Sequence, residues 1–148
     1  MNLKEEKDCW SLILKCGRVQ LIQIDFRLNL LVLDGTDKLW LHVETPGTLR
    51  TQVGDVLLVP EQPATLAPIL PLFNAEVIAI NISKAGQLQI KFGHDGSFEV
   101  TPDHSYEAWQ VECSSEEGDF MLVCPPGGEV TLFRDVRRTS DAANFGLH

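Results

Sequence analysis

The chain has 148 residues, 44% hydrophobic and 22% charged, with 12 Lys and Arg against 21 Asp and Glu and a net charge of -9 at neutral pH. That length suits one domain able to bury a core without metal or disulfide staples, and no apolar run nears the roughly 20 residues of a membrane helix. The acidic balance argues against nucleic acid as a partner, since the basic footprint that phosphates require is confined to Arg134, Arg137 and Arg138.

The opening MNLKEEK is acidic where a secretory n-region is basic, and no small-residue cleavage site follows Leu12 to Leu14, so a cytoplasmic location with no membrane partner is expected. Residues 1 to 8 are charged and expected to fray. Cys9 to Cys16 fits a short helix or a strand equally well and stops at Gly17. Arg18 to Asp25 alternates loosely, Leu28 to Leu33 is almost continuously apolar, and Asp34-Gly35 turns the chain. Lys38 to Glu44 then sets Leu39, Leu41 and Val43 on one side, which predicts a three-stranded meander. Trp40 and His42 point the other way. Thr48 to Gly54 reads as loop and Val56 to Val59 as a short buried strand. Pro60, Pro63, Pro68 and Pro71 then exclude a central strand, because proline lacks the amide donor, and favour a surface crossover with one short helical turn. A proline-rich ligand for another domain is the lesser alternative.

Gln87 to Trp109 carries the clearest local signal. Leu88, Ile90 and Phe92 alternate with polar neighbours, Gly93 to Gly96 supply a turn that includes Asp95-Gly96, and Phe98 and Val100 resume the alternation. Ala108 to Cys113, Phe120 to Cys124 and Glu129 to Phe133 read as three further strands, separated by turns at Ser114 to Asp119 and Pro125 to Gly128. Thr139 to His148 lacks apolar periodicity, which predicts a domain over 1-138 and a flexible tail over 139-148.

A fixed offset of 58 sets Leu12, Leu14, Val19, Ile22, Ile24, Leu30 and Val32 on Leu70, Leu72, Val77, Ile80, Ile82, Leu88 and Ile90. Both segments close on an Asp-Gly turn, a strand and Thr-Pro, at Thr45-Pro46 and Thr101-Pro102. The match implies a doubled strand unit over 12-46 and 70-102.

The side chains that carry chemistry are sparse. Cys9, Cys16, Cys113 and Cys124 match no zinc spacing and read as reduced thiols, with a Cys113-Cys124 bridge across a hairpin as the alternative. His94, Asp95, His104, Tyr106 and Glu107 supply the raw material of a metal or acid-base site, but both histidines fall in turns, where solvated polar residues are ordinary. Cys124 before Pro125 to Gly128 reads as a strand end ahead of a turn rather than as a nucleophile. From Gly93 to Phe133 there are nine acidic residues and no Lys or Arg. This is either a solvated face or a docking surface for a cationic protein. Trp40 is either an interface aromatic or buried against a second sheet.

The second half resembles a widespread family of small uncharacterised bacterial proteins, a domain of unknown function. The residues that carry the resemblance are Gly86-x-Leu88-x-Ile90-x-Phe92, Asp95-Gly96, Val100-x-Pro102-Asp103, Tyr106-Glu107-Ala108-Trp109 and Val123-Cys124-x-Pro126-Gly127-Gly128. It covers Leu66 to Val130 well and Gly17 to Pro60 more weakly, and it implies no activity.

The sequence therefore predicts a mainly β fold: two related three-stranded meanders plus a C-terminal hairpin in a sandwich or barrel-like roll, with one or two short helices. The expected role is a non-catalytic cytoplasmic module without a cofactor, which binds a protein partner of basic character, as an immunity-type inhibitor of a cationic toxin would. The candidate surface is Trp40, His42, Asp95, Glu99, Asp103, Tyr106 and Glu107. The alternatives are a small hydrolase or metal-dependent enzyme using His94, His104 and Glu107, and a structural homodimer.

Overall fold

A period of two runs through most of the chain, and the computed structural model, which describes residues 1-135, turns it into twelve strands. They are β1 (Asn2–Glu5), β2 (Cys9–Ile24), β3 (Leu28–Asp34), β4 (Asp37–Val43), β5 (Gly47–Thr51), β6 (Gly54–Leu58), β7 (Glu76–Ser83), β8 (Leu88–Phe92), β9 (Ser97–Val100), β10 (Trp109–Ser114), β11 (Asp119–Cys124) and β12 (Thr131–Asp135). One 3-10 segment, Pro63–Leu72, joins β6 to β7. Every pairing is antiparallel, and the single sheet runs β12-β11-β10-β4-β3-β2-β7-β8-β9-β5-β6, with β1 paired to β2 off this path.

One face of this sheet is apolar along its whole length. Leu30, Val32, Leu39, Leu41, Val111 and Leu122 from one flank, and Ile80, Ile82, Leu88, Ile90, Phe98 and Leu58 from the other, are all shut off from water and belong to one core cluster. A flat sheet would leave such a face wet, so the sheet folds over until its two flanks meet. The end strands β12 and β6 do not pair, so the roll is not closed into a barrel.

Apart from β12, which has no counterpart, the strand order reads the same from either side of the central β2-β7 pair. On one side lie the meander β2-β3-β4 and the hairpin β10-β11; on the other lie β7-β8-β9 and the hairpin β5-β6. Each hairpin follows one meander in sequence yet pairs with the last strand of the other. The irregularities match too: the register shifts between Val19 and Leu21 where β2 meets β3, and between Val77 and Ala79 where β7 meets β8. Beyond each bulge, Ile22 faces Leu30 as Ile80 faces Ile90, and Ile24 faces Leu28 as Ile82 faces Leu88.

That register departs from the constant offset in the sequence. The turn after Ile82 is longer than the one after Ile24, so Leu88 corresponds to Leu28 rather than to Leu30. Leu70 and Leu72 lie in the 3-10 segment, whereas Leu12 and Leu14 lie in β2.

Several local expectations are corrected. Residues 2 to 5 are a paired strand instead of frayed chain, and the Met1 ammonium is bonded to Asp37. Thr48 to Thr51 belongs to β5, inserted between β6 and β9. The proline-rich crossover is a ten-residue 3-10 segment whose Leu66, Ile69 and Leu72 enter the core, the spacing of three that brings one face of a 3-10 turn round again. Cys9 to Cys16 is the first half of β2. There β2 keeps β7 on one edge from Cys9 to Arg18, with a register shift between Ile13 and Gly17, while the partner on its other edge changes from β1 to β3. A Cβ at Gly17 would stand 2.8 Å from the Val77 carbonyl oxygen and 2.4 Å from Leu14 Cδ2, so the close approach of β7 requires glycine. The tail expected over 139-148 lies outside the described residues.

Candidate functional site

Strand register fixes which outward side chains stand side by side. On the outer face of one flank, a row runs Leu21, Leu31, Trp40, Glu112, Met121, Phe133 across six strands. It is apolar except at Glu112, and its ends are open, Leu21 being 42% and Phe133 52% exposed. A concavity of about 450 Å³ lies over Trp40, Glu112, Met121 and Phe133, with Lys38 and Arg134 at its margin. Trp40 is held in place: its ring stacks on His42 with centroids 5.7 Å apart and planes 8° from parallel. His42 in turn has Nδ1 2.6 Å from Asn29 Oδ1 and Nε2 3.4 Å from Glu112 Oε2.

The row at matching positions on the other flank is Ala79, Lys91, Ser97, Arg50, Asp55. In that row Arg50 bonds to Asp55, and polar groups also bond across the neighbouring row, whose matching positions on the first flank, Gln23, Asn29 and His42, are polar as well. Asn81 Nδ2 donates to Gln89 Oε1 at 3.2 Å, and Gln89 Nε2 donates to Glu99 Oε1 at 3.2 Å. Arg50 donates from Nε to Glu99 Oε2 at 2.5 Å and from Nη1 to Asp55 Oδ2 at 2.7 Å. At the positions matching the Trp40 row, one architecture thus presents a mostly polar row on one flank and an apolar row on the other.

A second feature, a cleft of about 590 Å³, opens at one end of the roll among the β2-β3 turn, the segments after β4 and β6, and the β9-β10 connection. Glu44 N donates to Ala108 O at 2.9 Å, which extends the β4-β10 ladder by a step and brings Glu44 beside Glu107. Burial, then the charge of Glu107 and a hydrogen bond to it, push the Glu44 carboxyl above its usual value, with Arg27 opposing. Gln110 Nε2 anchors Glu107 at 2.7 Å. Asp103 Oδ1 accepts from Ser105 N at 2.8 Å and Tyr106 N at 3.1 Å, an Asx turn that leaves the Tyr106 ring in the open. Glu61 adds another carboxylate to the wall. Thr45, only 6% exposed, also lines the cleft, and its Oγ1 has no hydrogen-bond partner among the described residues. At the mouth, Phe26 is 88% exposed at a φ of 66°, a conformation that bulky side chains rarely adopt.

The corresponding end of the other flank is filled. Gly86 packs so tightly on Gly128 that a Cβ would meet its carbonyl oxygen at 2.8 Å, and Pro102 closes on Gly128 from the other side. Trp109 Nε1 donates to Gly86 O at 2.8 Å. By register, Val43 and Val100 are equivalent strand ends, so Pro102 stands where the first flank has Thr45.

The seven residues expected to form one surface fall into separate places. Trp40 and His42 lie on the apolar flank, Glu99 in the polar ladder, Asp95 at the tip of the β8-β9 turn, and Asp103, Tyr106 and Glu107 at the cleft. The acidic stretch from Gly93 to Phe133 is likewise divided, because five strands lie between β9 and β10 in the sheet. His94 stacks on Phe92 at the β8-β9 turn, while His104 and Glu107 lie beyond the other end of β9, about 13 Å of strand away. No group of three or more His, Cys, Asp or Glu among the described residues is arranged to hold a metal ion. Cys113 faces Phe120 and Cys124 faces Trp109, at opposite ends of their hairpin, so the alternative of a bridge between them is excluded and both are free. Burial pushes each thiol up to about 11, which keeps Cys124 protonated and poorly suited to nucleophilic attack.

Sequence reading missed Met121 and Phe133 because only register reveals that they continue the row of Trp40. It missed Glu44, Thr45, Phe26 and Glu61 because four separate connections bring them together. No curated protein and no solved structure matches the chain. A family model does match residues 10–134, and the chain belongs to that family, a family of unknown function (DUF6188).

Proposed function

We propose that the protein is a non-catalytic, cytoplasmic binding module that docks another protein on the apolar flank of its sheet, around Trp40, Met121 and Phe133. The observation that carries this reading is the contrast between matching rows: Leu31, Trp40, Glu112 and Met121 on one flank stand where the other has Lys91, Ser97, Arg50 and Asp55. A large aromatic held in a fixed orientation beside methionine and phenylalanine is the composition of an interface centre. The net charge of -9 favours a partner of basic character, as in an immunity-type inhibitor of a cationic toxin. The mirrored strand order and the matched bulges support descent from a doubled unit, after which one copy kept an apolar outer face.

Two variants at matching positions test the reading. Trp40→Glu places a charge in the row and Ser97→Glu does the same on the polar flank. In native co-purification at low salt from the source cell, the wild type and Ser97→Glu should retain the same basic protein in stoichiometric amount, and Trp40→Glu should lose it. Retention by Trp40→Glu would refute the assignment. Wild-type dimers in light scattering that Trp40→Glu turns into monomers would assign the face to a second copy of the chain instead.

A further inference from the structure

We propose that the open edge of β6 is a self-association site, on which a second copy of the chain lays its own β6 antiparallel, centred on Val56. This edge belongs to the flank opposite the Trp40 row and does not depend on the docking proposed there. Register makes Gly47 the counterpart of Trp109, because the two pair with Val100 and Val43, and so sets Leu58 on Cys124 and Val56 on Leu122. On the Trp40 flank, β12 covers the edge of the hairpin, with Leu132 beside Leu122 and Phe133 beside Met121. Among the described residues β6 has no strand in that place. The stretch that follows β6, as β12 follows β11, is Pro63–Leu72, and its prolines cannot supply a ladder of amide donors. Instead Val59 N donates to Thr65 Oγ1 at 2.8 Å, the chain turns inward, and Leu66, Ile69 and Leu72 enter the core. Of two otherwise matching hairpins, one therefore lacks its third strand.

The vacancy shows in the side chains. Val56 lies opposite Leu49 and so faces the core, yet it is 37% exposed where Leu122, flanked by Leu132, is 0%. Leu57, on the outer face, is 59% exposed. Gly54 to Leu58 has no lysine, proline or bulge to protect the edge, and its one charge, Asp55, is held by Arg50 at 2.7 Å. The two-residue turn at Gln52 and Val53 closes on the Thr51-Gly54 pair, so Asp55 and Leu57 turn their main-chain N–H and C=O groups away from β5. What selects a second copy as the occupant is the fit of this strand to itself. A two-fold axis at Val56 sets the two Val56 side chains opposite each other on the core side, a favourable β-branched pair. On the outer face it sets Leu57 opposite Asp55 of the partner subunit, so no like charges meet, although the chain carries a net charge of -9. The same pairing gives the outward main-chain groups of Asp55 and Leu57 their hydrogen-bond partners. An edge of five residues is small for an interface, so the dimer is reversible and depends on concentration.

The test is sedimentation velocity of the full chain from about 10 µM to about 1 mM, with amide chemical shifts of nitrogen-15-labelled protein followed over the same range. A dimer forming within that range, with shifts centred on residues 54-58, is expected. Trp40→Glu should leave this dimer intact, which separates the edge from the apolar row. Leu57→Glu sets a carboxylate against each Asp55 and should weaken the dimer about tenfold or more. Leu57→Lys sets an ammonium group there instead and should keep or tighten it, which also shows that the fold accepts a charge at this position. A chain that stays monomeric to the top of the range, a dimer lost in Trp40→Glu, or equal loss in Leu57→Glu and Leu57→Lys would overturn the proposal.

Discussion

Glu44 shows how a single residue ties the fold to its environment. Its carboxyl is pushed above the ordinary 4.5 by burial and by Glu107, so the folded chain holds that proton more tightly than the unfolded one does. Stability from this group is therefore fully present below about 4.5 and is lost as pH rises through the raised value. Thermal unfolding across that window should show the wild type falling relative to Glu44→Gln, whose curve should be flatter; parallel curves would contradict the assignment. The cysteines give a second test at this scale. Cys16 is exposed and Cys9 partly so, whereas Cys113 and Cys124 are buried and shifted to about 11. Iodoacetamide at pH 8 should label Cys16 first and reach Cys113 and Cys124 only after denaturant is added. Neither the Glu44 environment nor the separation of the two buried thiols was legible in the sequence, because each depends on strands that meet only in the folded sheet.

Among the elements, β2 decides most. It is sixteen residues long, keeps β7 on one edge from Cys9 to Arg18, and carries β1 and then β3 on the other. The sequence marked Gly17 as a stop, and it lies instead inside one continuous strand, where only a residue without Cβ lets β7 approach. Gly17→Ala should lower stability by about 1–3 kcal/mol, the usual penalty for overpacking, read as a lower urea midpoint with an unchanged slope. The hairpin of β8 and β9 was legible because its period of two is strict and its turn contains Asp95, which sits at a φ of 66°. β5 was not, because Gly47, Thr48, Arg50 and Thr51 look like loop until β6 and β9 pair on either side. The prolines made the crossover with a short helical turn legible, but not its ten-residue length or its buried face. Its apolar residues recur every third position, a period that belongs neither to a strand nor to an α-helix.

At the level of the whole molecule, the chain builds two mirrored flanks and finishes them differently. Apolar alternation was enough to predict a mainly β fold and two meanders. It gave no warning that each hairpin crosses to the opposite meander, because exchange of a terminal hairpin leaves every local pattern unchanged. That exchange places Glu112 and Met121 beside Trp40, and Arg50 beside Glu99. It therefore creates both the apolar row and the polar ladder. The most direct test is hydroxyl-radical footprinting of the free chain against the chain co-purified with its partner, with side-chain oxidation read by mass spectrometry. Docking on the apolar flank predicts that oxidation of Trp40, Met121 and Phe133 falls together in the complex while exposed Phe26 and Val53 react as before. Unchanged oxidation at those three positions, with protection appearing elsewhere, would contradict the account.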